Sequence, residues 1–181
     1  MLLLWQSNQR REFLDIHSQQ DVEQFAYDWI KSKKNELAYR ASTVNVEKCE
    51  VDVLAVAEKS PYAAIYFIVT STVPTDGVGY IKCLAVFEEV EYSNLYSYIA
   101  DANSTSNEAF IDCGMLTPRL TDWLYILAGD NSKIHANTYH FKYNGVDYDR
   151  SIQNDGYVLD INILPYGNST AITDKFLMDK S

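Results

Sequence analysis

Apolar and polar positions between Cys49 and Val90 alternate in a way that predicts three consecutive strands. The middle run, Tyr62 to Val73, puts Ala63, Ile65, Phe67 and Val69 on one face and Ala64, Tyr66 and Ile68 on the other. Neither face suits water, so this strand belongs in the centre of a sheet. Its neighbours are one-sided: Cys49, Val51, Val53, Ala55 and Ala57 alternate with Glu50, Asp52, Leu54, Val56 and Glu58, while Ile81, Cys83, Ala85 and Phe87 alternate with Tyr80, Lys82, Leu84, Val86 and Glu88. The links Lys59-Ser60-Pro61 and Pro74 to Gly79 consist of turn residues and are too short for a parallel crossover. The three strands therefore form an antiparallel meander.

Elsewhere the period lengthens. Ser18 with Asp21 three residues on resembles a capping box, and Val22, Phe25, Ala26, Trp29 and Ile30 recur at three and four, with Leu37 in phase and Lys31, Lys33 and Lys34 at the negative end of the dipole. Burying Phe25 and Trp29 contributes about 2 to 3 kcal/mol each, which docks this helix on a sheet face. A second helix is expected after Thr117 as N-cap, with Pro118 in its first turn, Leu120, Trp123, Leu124 and Leu127 on one side and Gly129 past its end. Between them, residues 91–107 fit two readings, a short helix carrying Tyr92, Leu95, Tyr96 and Ile99, which is favoured, or a strand through Tyr92, Tyr96 and Tyr98, with a polar loop over Asp101 to Asn107; Ala109 to Leu116 is a short apolar strand. LLLWQ and RREFLDI, before the first helix, read as a hairpin or one bent strand.

The C-terminal half centres on Asn144-Gly145, which predicts a two-residue type I′ turn pairing Tyr143 with Val146, Lys142 with Asp147, Phe141 with Tyr148 and His140 with Asp149. A second turn at Asp155-Gly156 would pair Ile152 with Leu159, Arg150 with Ile161 and Tyr148 with Ile163. One face of that meander would hold Tyr139, Phe141, Tyr143, Val146, Tyr148, Ile152, Leu159, Ile161 and Ile163, and the other His140, Lys142, Asp147, Asp149, Asp160 and Asn162. The tail from Gly167 is expected to be loosely held.

These elements add up to an α+β fold, an antiparallel sheet of two meanders with two or three helices packed on it, within residues 1–181 as one globular domain. The net charge of −10 lies downstream of residue 48, where eight basic side chains face eighteen acidic ones. Such a balance disfavours contact with nucleic-acid phosphates and anionic membranes, and suits a basic protein partner. Three widely spaced cysteines, Cys49, Cys83 and Cys113, imply neither a disulfide framework nor a zinc site, and the run Leu2 to Trp5 is too short for a signal peptide. A cytosolic location without cofactor or metal follows as an expectation.

Two clusters carry candidate chemistry. On the polar hairpin face His140 would lie opposite Asp149 with Asp147 and Asp160 nearby; a carboxylate beside an imidazole stabilises its protonated form, and ordinary cross-strand charge pairing accounts for the same residues. Near the polar loop, Tyr92, Tyr96 and Tyr98 with Glu88, Glu89 and Glu91 would form an acidic and aromatic recognition patch. Cys113-Gly114 lacks the surroundings of a thiol nucleophile, and no Gly-rich phosphate loop, GxSxG or HExxH occurs. The chain thus reads as a protein-binding module, an inhibitor, immunity factor or adaptor covering a basic surface. The alternative is a small-molecule binder or enzyme with a pocket between helix and sheet served by His140, Asp149 and Asp160. Self-pairing of the apolar hairpin face into a homodimer is a third arrangement.

Overall fold

The strand Tyr62–Ser71 (β3) is buried along nearly its whole length on both faces, and the antiparallel sheet is built outward from it. Its partners are Cys49–Lys59 (β2) and Tyr80–Glu89 (β4). The computed structural model describes residues 13–33, 44–45, 47–75, 77, 79–117, 121–153, 155–167 and 171–179. The apolar start up to Glu12, Leu37, Pro118 and Asn168 to Thr170 lie outside them. The chain divides into two compact units, residues 1–106 and 107–181.

In the first unit five strands run in the order β1-β5-β4-β3-β2, where β1 is Phe13–Leu14 and β5 is Tyr96–Ser104. The meander predicted from Cys49 to Val90 is present, with a local departure: a bulge at Leu54 shifts the register between Val53 and Ala55. Because a one-residue slip exchanges the faces of a strand, Val56 and Glu58 continue the side of Val51 and Val53, and Ala55 and Ala57 turn to the other. One helix, Gln19–Ser32 (α1), packs on that side. Ser18 caps it, its hydroxyl accepting from the Asp21 amide at 3.3 Å. Trp29 meets the Phe67 ring edge-on at 5.4 Å, and Phe25 meets Phe87 at 4.9 Å, over a core of Ala63, Ile65, Val69, Ile81, Cys83 and Ala85.

The second unit contains two three-stranded antiparallel sheets. Tyr157–Pro165 (β10), Asp122–Asp130 (β7) and Phe110–Leu116 (β6) form one, and Ile172–Asp179 (β11), Ala136–Tyr143 (β8) and Val146–Ser151 (β9) the other. They share a core of Trp123, Tyr125, Leu127, Tyr139, Phe141, Tyr143, Val158 and Leu164. The β8–β9 register has His140 opposite Asp149 and Lys142 opposite Asp147, the pairing the Asn144-Gly145 turn predicts; both turn residues have positive φ, 50° and 76°.

The expectation of an α+β fold with two or three helices is overturned: strands make up 60% and helix 10%, one helix against eleven strands among the described residues, so the class is mainly antiparallel β. The stretch from Asp122 expected as the second helix is β7, buried on both faces, with Trp123, Tyr125 and Leu127 to one side and Leu124, Ile126 and Ala128 to the other. Its helical stripe was a subset of a continuous apolar run, and aromatic and branched side chains in such a run favour the centre of a sheet. Thr117 is the base of the β6–β7 hairpin, exchanging backbone contact with Asp122 at 3.1 Å. Gly129 is not a helix cap: a Cβ there would stand 2.5 Å from the Ala109 carbonyl oxygen and the Phe110 ring. Residues 91–107 likewise hold a turn and then β5, which takes Asp101 to Ser104 out of the expected polar loop. The second meander also rearranges, since β10 pairs with β7 and not with β9, through nine residue pairs from Tyr157–Asp130 to Pro165–Asp122. Among the described residues no helix is long and apolar enough to cross a membrane.

Candidate functional site

Two turns build one end of the five-stranded sheet, Ser60-Pro61 between β2 and β3 and Val90 to Leu95 between β4 and β5. They are braced together: the Glu89 amide donates to the Pro61 carbonyl at 2.7 Å, Ser60 Oγ donates to Glu89 Oε2 at 3.2 Å, and the Val90 amide donates to the Leu95 carbonyl at 2.8 Å. At this end the bulge-shifted Glu58 lies on the same face as Glu89, Glu88 points to the other face of β4, and Glu91 follows in the turn. Tyr92, in the turn after Glu91, is 98% exposed with φ of 61°, a conformation uncommon for a bulky side chain. Leu95 is exposed beside it.

The six residues expected as one patch are thus divided. Glu88, Glu89, Glu91 and Tyr92 share the end of the sheet. Tyr96 is 2% exposed in the core under α1, and its hydroxyl donates to Glu58, which also lies 3.6 Å from His17 Nε2. Burial first, then the charges of Glu58 and Glu89, push the Tyr96 hydroxyl pKa up. Tyr98 sits further along β5 and donates to Asp101. Asp101 gathers the Trp29 indole N–H at 2.9 Å and the Lys33 ammonium at 3.3 Å. Burial alone would raise the Asp101 pKa, but those donors and the lysine charge outweigh it and hold the carboxyl below its ordinary value. Glu58 and Asp101 escaped sequence reasoning, because the bulge and the helix docking that place them leave no local signal.

The second expected cluster is divided too. His140 Nδ1 lies 2.7 Å from Asp149 Oδ1 and Nε2 lies 3.2 Å from Asp147, with the Phe176 ring stacked on the imidazole at 4.5 Å. Each ring nitrogen lies within reach of a carboxylate across the β8–β9 pair, the geometry of a cross-strand polar cluster. Asp160 is elsewhere, between the two sheets, where it accepts from the Tyr139 hydroxyl at 2.5 Å. Asn162 Nδ2 donates to that hydroxyl at 2.6 Å and to the Tyr125 carbonyl at 3.2 Å, and Arg150 Nε donates to Asn162 Oδ1 at 2.8 Å. Burial, then Asp160, pushes the Tyr139 pKa up. Among the described residues no set of three His, Cys, Asp or Glu side chains is arranged to hold a metal ion. Burial raises the thiol pKa of Cys49 and Cys83, with the Asp101 charge adding at Cys83, which keeps both in the unreactive protonated form.

A cleft of about 540 Å³ opens between the edges β6 and β11 of the second unit. Tyr125, Leu127, Ile134 and Tyr139 line it together with Phe110 and Leu177, and Glu108, Asp112 and Lys175 add charges. It lies between two sheets, not between helix and sheet. No protein-family model matches the chain, and no curated protein or solved structure matches it either.

Proposed function

We propose that this protein is a binding module for a basic protein partner, engaged through the acidic end of the five-stranded sheet with Tyr92 as the aromatic anchor. The observation that carries the reading is a tyrosine that is 98% exposed in a turn beside Glu91, at the end of the sheet where Glu58 and Glu89 also lie on the α1 face. Between Cys49 and Ser106 eight acidic side chains face two basic ones, and of those Lys82 is buried and donates to the Ser106 carbonyl at 3.1 Å. A one-signed field raises the encounter rate with a basic surface, and a rigid exposed tyrosine offers contact area at low entropic cost. The three free thiols, Cys49, Cys83 and Cys113, support a reducing compartment such as the cytosol.

The test is affinity capture by the full chain with quantitative mass spectrometry, comparing wild type with Tyr92→Ala, Glu91→Lys and His140→Ala. Tyr92 and Glu91 are exposed, so both variants should keep the wild-type unfolding temperature. Capture of a basic protein that falls about tenfold or more in the first two variants and persists in His140→Ala supports the reading. Equal capture by all four proteins refutes it.

A further inference from the structure

The cleft of the second unit has a composition that the acidic end of the sheet does not explain, and its argument is independent of the protein-binding reading. Its volume of about 540 Å³ falls in the range of small-molecule sites, roughly 300–1,000 Å³. Phe110, Leu127, Ile134 and Leu177 give it apolar walls, and Tyr125 and Tyr139 bring aromatic rings. Asp112 lies on the β6 side, on the same face as the buried Tyr125, whose hydroxyl pKa is pushed up by burial first and then by the Asp112 charge. Across the opening, from β11, Lys175 sets its ammonium 2.6 Å from Asp112 Oδ2.

That ammonium marks where a cation sits in this cleft. The lysine is 46% exposed, and an ion pair of that kind is held weakly and screened by water. Glu108 adds a second carboxylate to the lining, so the charges that face the cleft favour a cation over an anion. Aromatic rings beside the carboxylate suit the same ligand, through apolar contact with its body and attraction of its charge to the ring faces. We propose that the cleft binds a small organic amine, an ammonium group on an aromatic or aliphatic body, and that its ammonium displaces Lys175 from Asp112.

Lys175 is then a competitor as well as a wall, which gives the proposal a sign that mere packing lacks. The experiment is calorimetric titration of the full chain with phenethylamine, with 2-phenylethanol as neutral isostere and phenylacetate as the anion of similar size. Wild type should bind the amine at least about tenfold more tightly than either control, Lys175→Gln should bind it several-fold more tightly than wild type, and Asp112→Asn should lose about tenfold or more. An amine that binds no better than the alcohol overturns the proposal, as does a Lys175→Gln variant with unchanged or weaker affinity. Should Asp112→Asn fail to fold, as judged by thermal unfolding, the direction of the Lys175→Gln effect decides alone.

Discussion

The Tyr139 hydroxyl donates to Asp160 Oδ2 at 2.5 Å, a polar tie from β8 in one sheet of the second unit to β10 in the other. Asn162 donates to the same hydroxyl and is itself held by Arg150, so four side chains from three strands close one buried network. Tyr139→Phe keeps the ring and leaves Asp160 and Asn162 each short of a partner, a loss of about 1 to 3 kcal/mol. Tyr143 provides the control. Its buried hydroxyl has no hydrogen-bond partner among the described residues. Tyr143→Phe should therefore be neutral or slightly stabilising in urea unfolding. Equal losses in both variants would show that the network contributes nothing specific.

Asp101 ties α1 to β5 through Trp29, Lys33 and Tyr98. Its folded pKa is lowered from the ordinary 3.8, so its contribution is fully present above 3.8 and disappears as pH falls through the folded value. Asp101→Asn should lower the urea midpoint at pH 7, and the gap to wild type should shrink progressively as pH falls below 3.8. A gap that persists unchanged in acid would rule out the charge as its source.

Gly129→Ala tests the close approach of β6 to β7. The added methyl would meet the Ala109 carbonyl oxygen at 2.5 Å, a backbone atom that cannot rotate away. We expect a loss of about 1 to 3 kcal/mol in denaturant unfolding. A neutral outcome would mean that the β6 edge shifts freely.

What was legible in the sequence was local. The Asn144-Gly145 turn sets the register of the hairpin from His140 to Asp149 because two residues decide it, and Ser18 caps α1 through an amide three residues away. The misreadings share a non-local cause. Which strand β10 joins after Asp155-Gly156 is decided across the fold, and with β7 as its partner Asp160 and Asn162 turn towards Tyr139 and away from His140. The apolar run of β7 contains a helical stripe as well as a two-faced strand, and only burial on both sides separates the two. Tyr96 is buried beneath α1, and Glu58 reaches the end of the sheet only through the bulge at Leu54; neither placement has a local pattern. On the apolar hairpin face, Tyr139, Phe141 and Tyr143 share a core with Trp123, Tyr125 and Leu127 of β7.

The most direct measurement is an amide chemical-shift titration of the full chain with a lysine-rich peptide at physiological salt. Shifts should concentrate at Glu58 and across Glu88 to Leu95, disappear in Tyr92→Ala and weaken as salt rises. Shifts spread evenly over the acidic surface, or centred on Asp147 and Asp149, would contradict this expectation.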